Sequence, residues 1–376
     1  MTAPPGVRHY LDHASTSPAR PEVVEAMLPW LAGPGAADPA RVHTEGRMAR
    51  AAVEDARERV AALLGARPRE VVFTSGATES INAAVWGATR LRPSGPVVAA
   101  AVEHSAVRQA SKRAAGVAEP AVDGRGRIDV AALSRLVADG TALVHCQLGN
   151  HEVGTIQPVA EVVAVCRERG ALVHVDAAAA AGHVPVDFAA LGADLLSVSA
   201  HKLGGPKGVG ALLVRRGLRV PPLLVGGDQE RARRAGTEDV PAIVGFGAAC
   251  SSLDLDGEAA AARAHTERLL AGLTAVPGVV AYGDPDARLP HIACVGVDGV
   301  EAEAVLLGLD QAGVAAHSGS ACSSESLEPS PVLEAMGVEA ERSLRVSVGW
   351  STTDGDVAAC LEAFPRVVDR LRALAL

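Results

Sequence analysis

The sequence predicts an α/β protein: a mainly parallel β-sheet covered by helices on both faces, followed by a smaller α+β unit. Over about 150 residues, short apolar runs of strand length alternate with segments of helical period, the rhythm that βαβ crossovers impose. Past about Leu273 that rhythm gives way to a few strands interleaved with longer helices. Polar residues also gather where the apolar runs stop, and in parallel sheets ligands collect at those carboxyl ends.

Tyr10-Leu-Asp-His-Ala-Ser-Thr-Ser-Pro18 reads as an extended segment ending in a turn, followed by a short helix from Pro21 to Leu31 and a loop from Gly33 to Pro39. Between Gly46 and Leu64, apolar residues recur at Val53, Ala56, Val60, Leu63 and Leu64, the spacing of one helical face. A strand at Val71–Phe73 runs into Thr74-Ser-Gly-Ala-Thr-Glu-Ser80, and a helix follows. Small residues at such a junction let backbone N–H groups approach an anion where the helix dipole favours it. The Gly-Lys-Ser/Thr ending of a P-loop is absent.

Further strands are expected at Val97–Val102, Ala142–Gln147, Ala171–Val175, Asp194–Val198 and Gly210–Val214, with helices between them at Asp129–Ala138 and Val159–Arg169. After Gly226–Thr237 a helical region leads to about Leu273. Strands near Val279 and Ile292, a helix at Glu301–Gln311, a strand at Ser343–Val348 and a last helix complete the chain.

At 376 residues the chain is long enough for two domains, and its 48% apolar and 21% charged residues are an ordinary globular composition. A net charge of -9 argues against direct binding of a nucleic-acid backbone, which needs concentrated Lys and Arg. The first ten residues lack an apolar signal core, and no window reaches the roughly 18 uninterrupted apolar residues of a membrane span, so a cytoplasmic protein without a membrane contact is expected. Six cysteines lie far apart with no C-x-x-C pair, which fits neither a disulfide framework nor a zinc site. Cys146, Cys166, Cys250, Cys294 and Cys360 fall in apolar patterns and read as core thiols. Cys322 instead sits in the small polar stretch His317–Ser326.

Lysine is scarce: Lys112, Lys202 and Lys207 stand against 32 arginines, so any amine chemistry must use one of the three. Lys202 falls where the strand Asp194–Val198 ends in Ser-Ala-His-Lys before a Gly/Pro-rich turn. Glu103-His104, Asn150-His151-Glu152 and Asp176 end other strands. A lysine able to form a Schiff base, an aspartate to pair with a pyridinium nitrogen, a histidine and small hydroxyl residues for a phosphate together meet the needs of a pyridoxal phosphate site.

The sequence resembles the cysteine desulfurases of the IscS/NifS group, within the fold-type I pyridoxal phosphate enzymes, from Tyr10-Leu-Asp to the final helix. The motifs that carry the likeness are Phe73–Ser80, Glu103-His104, His174-Val-Asp-Ala177, Ser199-Ala-His-Lys202, Arg234-Ala-Gly-Thr237, Ser318–Cys322 with Ser326–Pro329, and Leu344-Arg345. The resemblance implies a large domain over residues 15–253 with a seven-stranded sheet, and a small α+β domain from residues 1–14 and 254–376 that carries Cys322. It implies that Lys202 holds the cofactor, that Asp176 pairs with the ring nitrogen, and that His104 stacks on the ring and assists proton transfer. Ala77, Thr78, Ser199 and His201 would hold the phosphate, joined by Thr237 from the other subunit of a homodimer. Arg345, with Asn150 nearby, would bind the substrate carboxylate. Cys322 would attack the sulfur of L-cysteine, release alanine and keep a persulfide for an acceptor protein in iron–sulfur assembly, tRNA or DNA thiolation or natural-product sulfuration.

Three positions depart from the family pattern. His151 replaces an asparagine, Ala179 replaces a glutamine, and Asp38-Pro-Ala-Arg replaces Asn-Pro-x-Ser. The His151 imidazole is expected to reach the cofactor's phenolic oxygen in place of the lost amide. Two other functions remain open at this level: a selenocysteine lyase, other C–S lyase or aminotransferase, for which Cys322 would be dispensable, and a non-catalytic scaffold in a sulfur-transfer complex, which would not bind the cofactor.

Overall fold

In the computed structural model, residues 7–318 and 329–374 are described. Seven strands form the main sheet: β1 (Val71–Thr74), β2 (Val97–Val98), β3 (Val117–Ala118), β4 (Leu143–Gln147), β5 (Leu172–Asp176), β6 (Leu195–Ser199) and β7 (Gly210–Val214). Their order is β1-β7-β6-β5-β4-β2-β3. All run parallel except β7, which is antiparallel to both β1 and β6. A parallel return needs a crossover of about a dozen residues or more. Only the short Gly-rich turn Ala200–Val209 joins β6 to β7, so β7 must reverse.

The strands are apolar throughout because both faces are covered. Alternate residues go to opposite sides: Val71, Phe73, Leu196 and Val198 pack in one core, Val72 and Leu195 in the other. The first core is closed by α1 (Pro21–Leu31), α2 (Thr44–Leu63) and α7 (Val240–Ser252), through Val23, Val53, Val60, Ile243 and Phe246. The second is closed by α3 (Ala77–Leu91) and α4 (Ser105–Ser111), through Ile81, Val85 and Val107. The crossovers α5 (Val130–Leu136) and α6 (Val159–Glu168) complete the layers.

Beyond α7, helix α8 (Leu255–Thr274) precedes an antiparallel sheet of β8 (Val279–Tyr282), β9 (Ile292–Val297) and β10 (Ser343–Ser347), with β9 in the centre. Helices α9 (Ala302–Gln311) and α11 (Asp354–Leu374) cover it, while α10 (Pro331–Ala335), between them in the chain, packs Val332 and Leu333 into the first core of the main sheet. Leu269, Val295, Val305, Leu344 and Phe364 form its core, joined by Leu11 from the other end of the chain. His9–Tyr10 pairs in parallel with Val314–Ala315, which ties the N-terminal segment to this unit.

One expectation is corrected, and two features go beyond the sequence reading. The apolar run Val97–Val102 makes a ladder only over Val97–Val98, because the chain turns at Ala100, whose carbonyl accepts from Glu103 N at 3.0 Å. The edge strand Val117–Ala118 was not expected, being two partly exposed residues with no pattern to read. The helical region before Leu273 is two helices, divided where the Asp254 side chain accepts from Gly257 N and caps α8.

One backbone feature stands out. Glu230, Arg231 and Ala232 are consecutive left-handed residues, with φ of 49°, 57° and 58°. Each costs about 1–2 kcal/mol in a residue with a side chain, and the turn persists because Glu230 is buried in a two-pronged pair with Arg57, both contacts at 2.7 Å, and also accepts from Phe73 N.

Candidate active site

The parallel strands all end at one edge, and that edge carries the expected residues. A cavity of about 470 Å3 opens there, and Lys202, Asp176, His104, His151, Ser199, His201, Ala77, Thr78 and Arg345 all line it. Its size lies in the range of about 300–1,000 Å3 usual for small-molecule sites.

Lys202 reaches this cavity because β6 ends at Ser199 and a single 3-10 turn, Ala200–Leu203, follows. Its Nζ donates to the Ala14 carbonyl. Asp176 is the last residue of β5, paired in register with Gln147 on one side and Ser197 on the other. Its Oδ1 accepts from Ser197 Oγ at 2.8 Å and from Ala178 N at 3.1 Å, so its orientation is fixed by the strand beside it. His104 caps α4, its Nδ1 accepting from Ala106 N at 3.1 Å.

At the β1–α3 junction, Gly76 has φ 151° and ψ -180°, a conformation essentially restricted to glycine. It opens α3, whose first-turn amides at Ala77 and Thr78 have no carbonyl within the helix to pair with. A Cβ on Gly76 would lie 3.7 Å from Ser199 Oγ, which places that hydroxyl beside the helix start. His201 donates to or accepts from Thr16 Oγ1 at 3.1 Å, and burial, reinforced by the nearby Lys202 and Lys207 charges, pulls its pKa down to about 4.

These residues fit pyridoxal phosphate. An amine, a strand-end carboxylate and a ring from His104 share one cavity with a helix N-terminus and a serine hydroxyl suited to a phosphate. The sequence matches the model of the family described as aminotransferase class-V over residues 9–360. The chain belongs to the class-V aminotransferase family. A cysteine desulfurase of Trichormus azollae is 43% identical, covering 97% of this chain and 94% of that one. A cysteine desulfurase IscS 1 of Archaeoglobus fulgidus is 40% identical over 97% and 98%. A solved NifS-like protein superposes with a TM-score of 0.90 at 31% identity, over 97% of this chain and 100% of that one. The structure titled SspA in complex with cysteine gives 0.81 at 31% identity, over 91% and 99%.

In this class-V aminotransferase chain, Arg345 on β10 is almost fully buried at the cavity wall. Its Nη1 donates to the His151 carbonyl at 2.8 Å, and its Nη2 to Asp12 Oδ1 at 3.0 Å and Ser15 Oγ at 2.8 Å. Its Nε has no partner among the described residues. Asn150 is placed differently from expectation. It is fully buried, its Oδ1 accepts from Glu152 N and Val153 N at 2.8 Å each, and its Nδ2 donates to the Val102 carbonyl at 3.1 Å. The amide is consumed in shaping the turn and does not line the cavity, so its part is to present the next residue.

That residue, His151, packs edge-on against His104, ring centroids 5.0 Å apart, with its Nε2 3.5 Å from Glu152 Oε1. Thr237 lines a separate cavity of about 200 Å3, with Ser75 and Arg234. Asp38 is held by Arg41 at 2.9 Å and by Ala40 N, away from the lining. Cys322 lies outside the described residues. The other five cysteines are buried, and burial raises their thiol pKa values, to about 12 for Cys166, Cys294 and Cys360.

Sequence reasoning missed Glu79, Gln147 and Lys207 in the lining. It noted Glu103 only as part of a motif. Glu103 is buried, with Oε1 accepting from Gln147 N at 2.8 Å and Oε2 without a partner among the described residues. Burial pushes its pKa up to about 8, helped by the Asp176 charge and opposed by the Gln147 N–H bond and His151.

Proposed function

We propose that this chain, a pyridoxal phosphate-dependent cysteine desulfurase, uses the strand-edge cavity to move sulfur from L-cysteine to Cys322 and leave alanine. The observation that carries the assignment of residues is the meeting of Lys202, Asp176, His104 and the α3 N-terminus in one cavity. The cofactor, when bound, supplies an electron sink for the pair left when the substrate loses its α-proton. Lys202 Nζ would hold the cofactor and then, released, take that proton. Asp176 Oδ atoms would face the ring nitrogen and keep it protonated, with Ser197 and Ala178 N holding the carboxylate in place.

Ala77, Thr78, Ser199 and His201 would hold the phosphate. With its pKa pulled down to about 4, His201 would be neutral at pH 7 and would offer the phosphate the one N–H that a neutral imidazole carries. Arg345, with its fork fixed by His151 and Asp12, would orient the substrate carboxylate. His104 would lie against the ring and pass a proton, and His151, packed on His104, would reach the phenolic oxygen where the family's amide is missing. The Cys322 thiolate would form an S–S bond with the substrate sulfur as the C–S bond breaks, the electron pair returning to the carbon that becomes alanine.

The same reading includes a homodimer. Val24, Leu28 and Leu31 form an exposed apolar stripe on α1, and Val42 and Met48 are exposed as well. Thr237 stands outside its own chain's cavity, which suits delivery to a second copy. Residues 15–253 would make up the large domain, and 1–14 with 254–376 the small one. A cytoplasmic location and an acceptor protein for the persulfide belong to the reading as well. No helix among the described residues is long and apolar enough to cross a membrane.

The test is Cys322→Ala. Wild type incubated with 35S-cysteine carries label that a thiol reductant removes, and Cys322→Ala carries none, while both give the same change in cofactor absorbance on adding L-cysteine. Undiminished alanine release and protein labelling by Cys322→Ala would refute the proposal.

A further inference from the structure

The phosphate cradle at the β1–α3 junction contains a residue of the wrong sign. Glu79 sits in the first turn of α3 and lines the cavity beside Ser75, Ala77 and Thr78. Its pKa is held below the ordinary carboxylate value: burial opposes this, but hydrogen bonds from Arg234 and Ser75 outweigh it. It is therefore an anion at neutral pH. Left alone there, it would repel a phosphate and compete with it for backbone N–H groups.

The fold ties it down. Arg234 Nε donates to Glu79 Oε1 at 2.9 Å and Nη2 to Oε2 at 3.3 Å, and Ser75 N donates to Oε2 at 2.8 Å. Arg234 arrives on the segment that begins with the left-handed turn Glu230–Ala232. That turn is anchored to α2 by the buried Arg57–Glu230 pair, whose Arg57 also donates to the Val71 carbonyl of β1 at 3.1 Å, and to β1 by Phe73 N, two residues before the cradle begins. The turn thus fixes where Arg234 meets Glu79, which sits in the first turn of the helix that follows β1.

We propose that Arg234 is a positioning residue of the cofactor site: it neutralises Glu79 and holds that carboxylate, with the Ser75 amide, away from the place a phosphate group takes. This rests on the reading of Ser75–Thr78 as the phosphate cradle.

The test separates charge from scaffold. Full-length protein stripped of cofactor is titrated with pyridoxal phosphate and with pyridoxal, which lacks the phosphate. Arg234→Gln should weaken pyridoxal phosphate binding about tenfold and change pyridoxal binding far less, because the exposed Glu79 charge opposes only the phosphate. Removing that charge as well, in Glu79→Gln/Arg234→Gln, should recover most of the affinity. Equal weakening of both ligands, or no recovery in the double variant, overturns the proposal and leaves Arg234 a scaffold residue only. Should Arg234→Gln fail to fold, Arg234→Lys, which keeps the charge but gives up the two-pronged contact, carries the same comparison with a smaller shift. Wild type that binds pyridoxal as tightly as pyridoxal phosphate would instead refute the cradle reading itself.

Discussion

Glu103→Gln should make the cofactor-free protein more stable at high pH and leave it unchanged in acid. Glu103 is a buried carboxyl with one backbone donor, no cation within ion-pair distance among the described residues, and Asp176 raising the cost of ionising it further. In the unfolded chain it ionises near its ordinary value of 4.5, in the fold at about 8. Between those values the folded state holds one proton more than the unfolded state, so stability falls as pH rises, by about 1.4 kcal/mol per pH unit. The loss begins above the unfolded value and is complete once the pH passes the folded one. Its upper bound across the window is on the order of 5 kcal/mol. Glutamine keeps the acceptor for Gln147 N and cannot ionise. The groups that face Glu103 (Asp176 on β5, His151 after β4 and Cys146 on β4) are present in both proteins, so their own titration largely cancels in the difference. Urea midpoints of the two proteins, compared from pH 4.5 to 9, should diverge in favour of the variant from about pH 5 and stop diverging above about pH 8. A difference curve that is flat over this range would show that Glu103 is solvated or paired in solution, and the reasoning would fail.

Gly76→Ala tests the cradle's backbone: a Cβ there meets nothing closer than Ser199 Oγ at 3.7 Å, so the whole penalty is the φ of 151°, about 1–3 kcal/mol. It should appear as weaker binding of pyridoxal phosphate, and unaltered affinity would mean that the junction relaxes without cost. Asn150→Ala leaves the buried amides of Glu152 and Val153 without acceptors, at about 1–3 kcal/mol each, and loosens the His151 carbonyl that holds Arg345. The expected result is a lower melting temperature together with a raised KM for L-cysteine; a raised KM with unchanged stability would return Asn150 to a direct substrate contact.

The parallel strands were legible because burial on both faces writes them as unbroken apolar runs, Leu143–Gln147 and Leu195–Ser199 among them. The direction of β7 was also written in the sequence, in the length of the Ala200–Val209 turn, but composition alone does not disclose it. Lys202 and Asp176 could be found because their residue types are informative at a strand end. Asn150 could not be assigned, since a buried turn-former and a substrate-binding amide have the same sequence signature. Arg234 and Glu79 are 155 positions apart, and no local pattern pairs them.

The charges of the cavity explain why so many buried histidines are compatible with its chemistry. His13 and His183 are pulled down to about 4 and His291 well below its ordinary value, in each case chiefly by burial, and the stacked His183 and His291 rings lie 3.5 Å apart, with His183 Nε2 3.3 Å from the Lys202 carbonyl. At pH 7 these imidazoles and His201 are uncharged, and Glu103 is largely so. Apart from its histidines, the lining carries Lys202, Lys207 and Arg345 against Asp176 and Glu79, with Arg234 neutralising Glu79 and Asp12 pairing with Arg345. The balance is positive in a protein whose net charge is -9. A phosphorylated cofactor and an amino acid carboxylate are both anions, and the surplus positive charge of the two lysines attracts them; of these neutral histidines His201 lines the cavity, while His13, His183 and His291 lie outside its lining. Protonating His183, His201 or His291 would add charge that Lys202 repels, whereas His13 also feels the Asp12 and Asp356 carboxylates, so it is the burial of the first three that belongs with the function of the cavity.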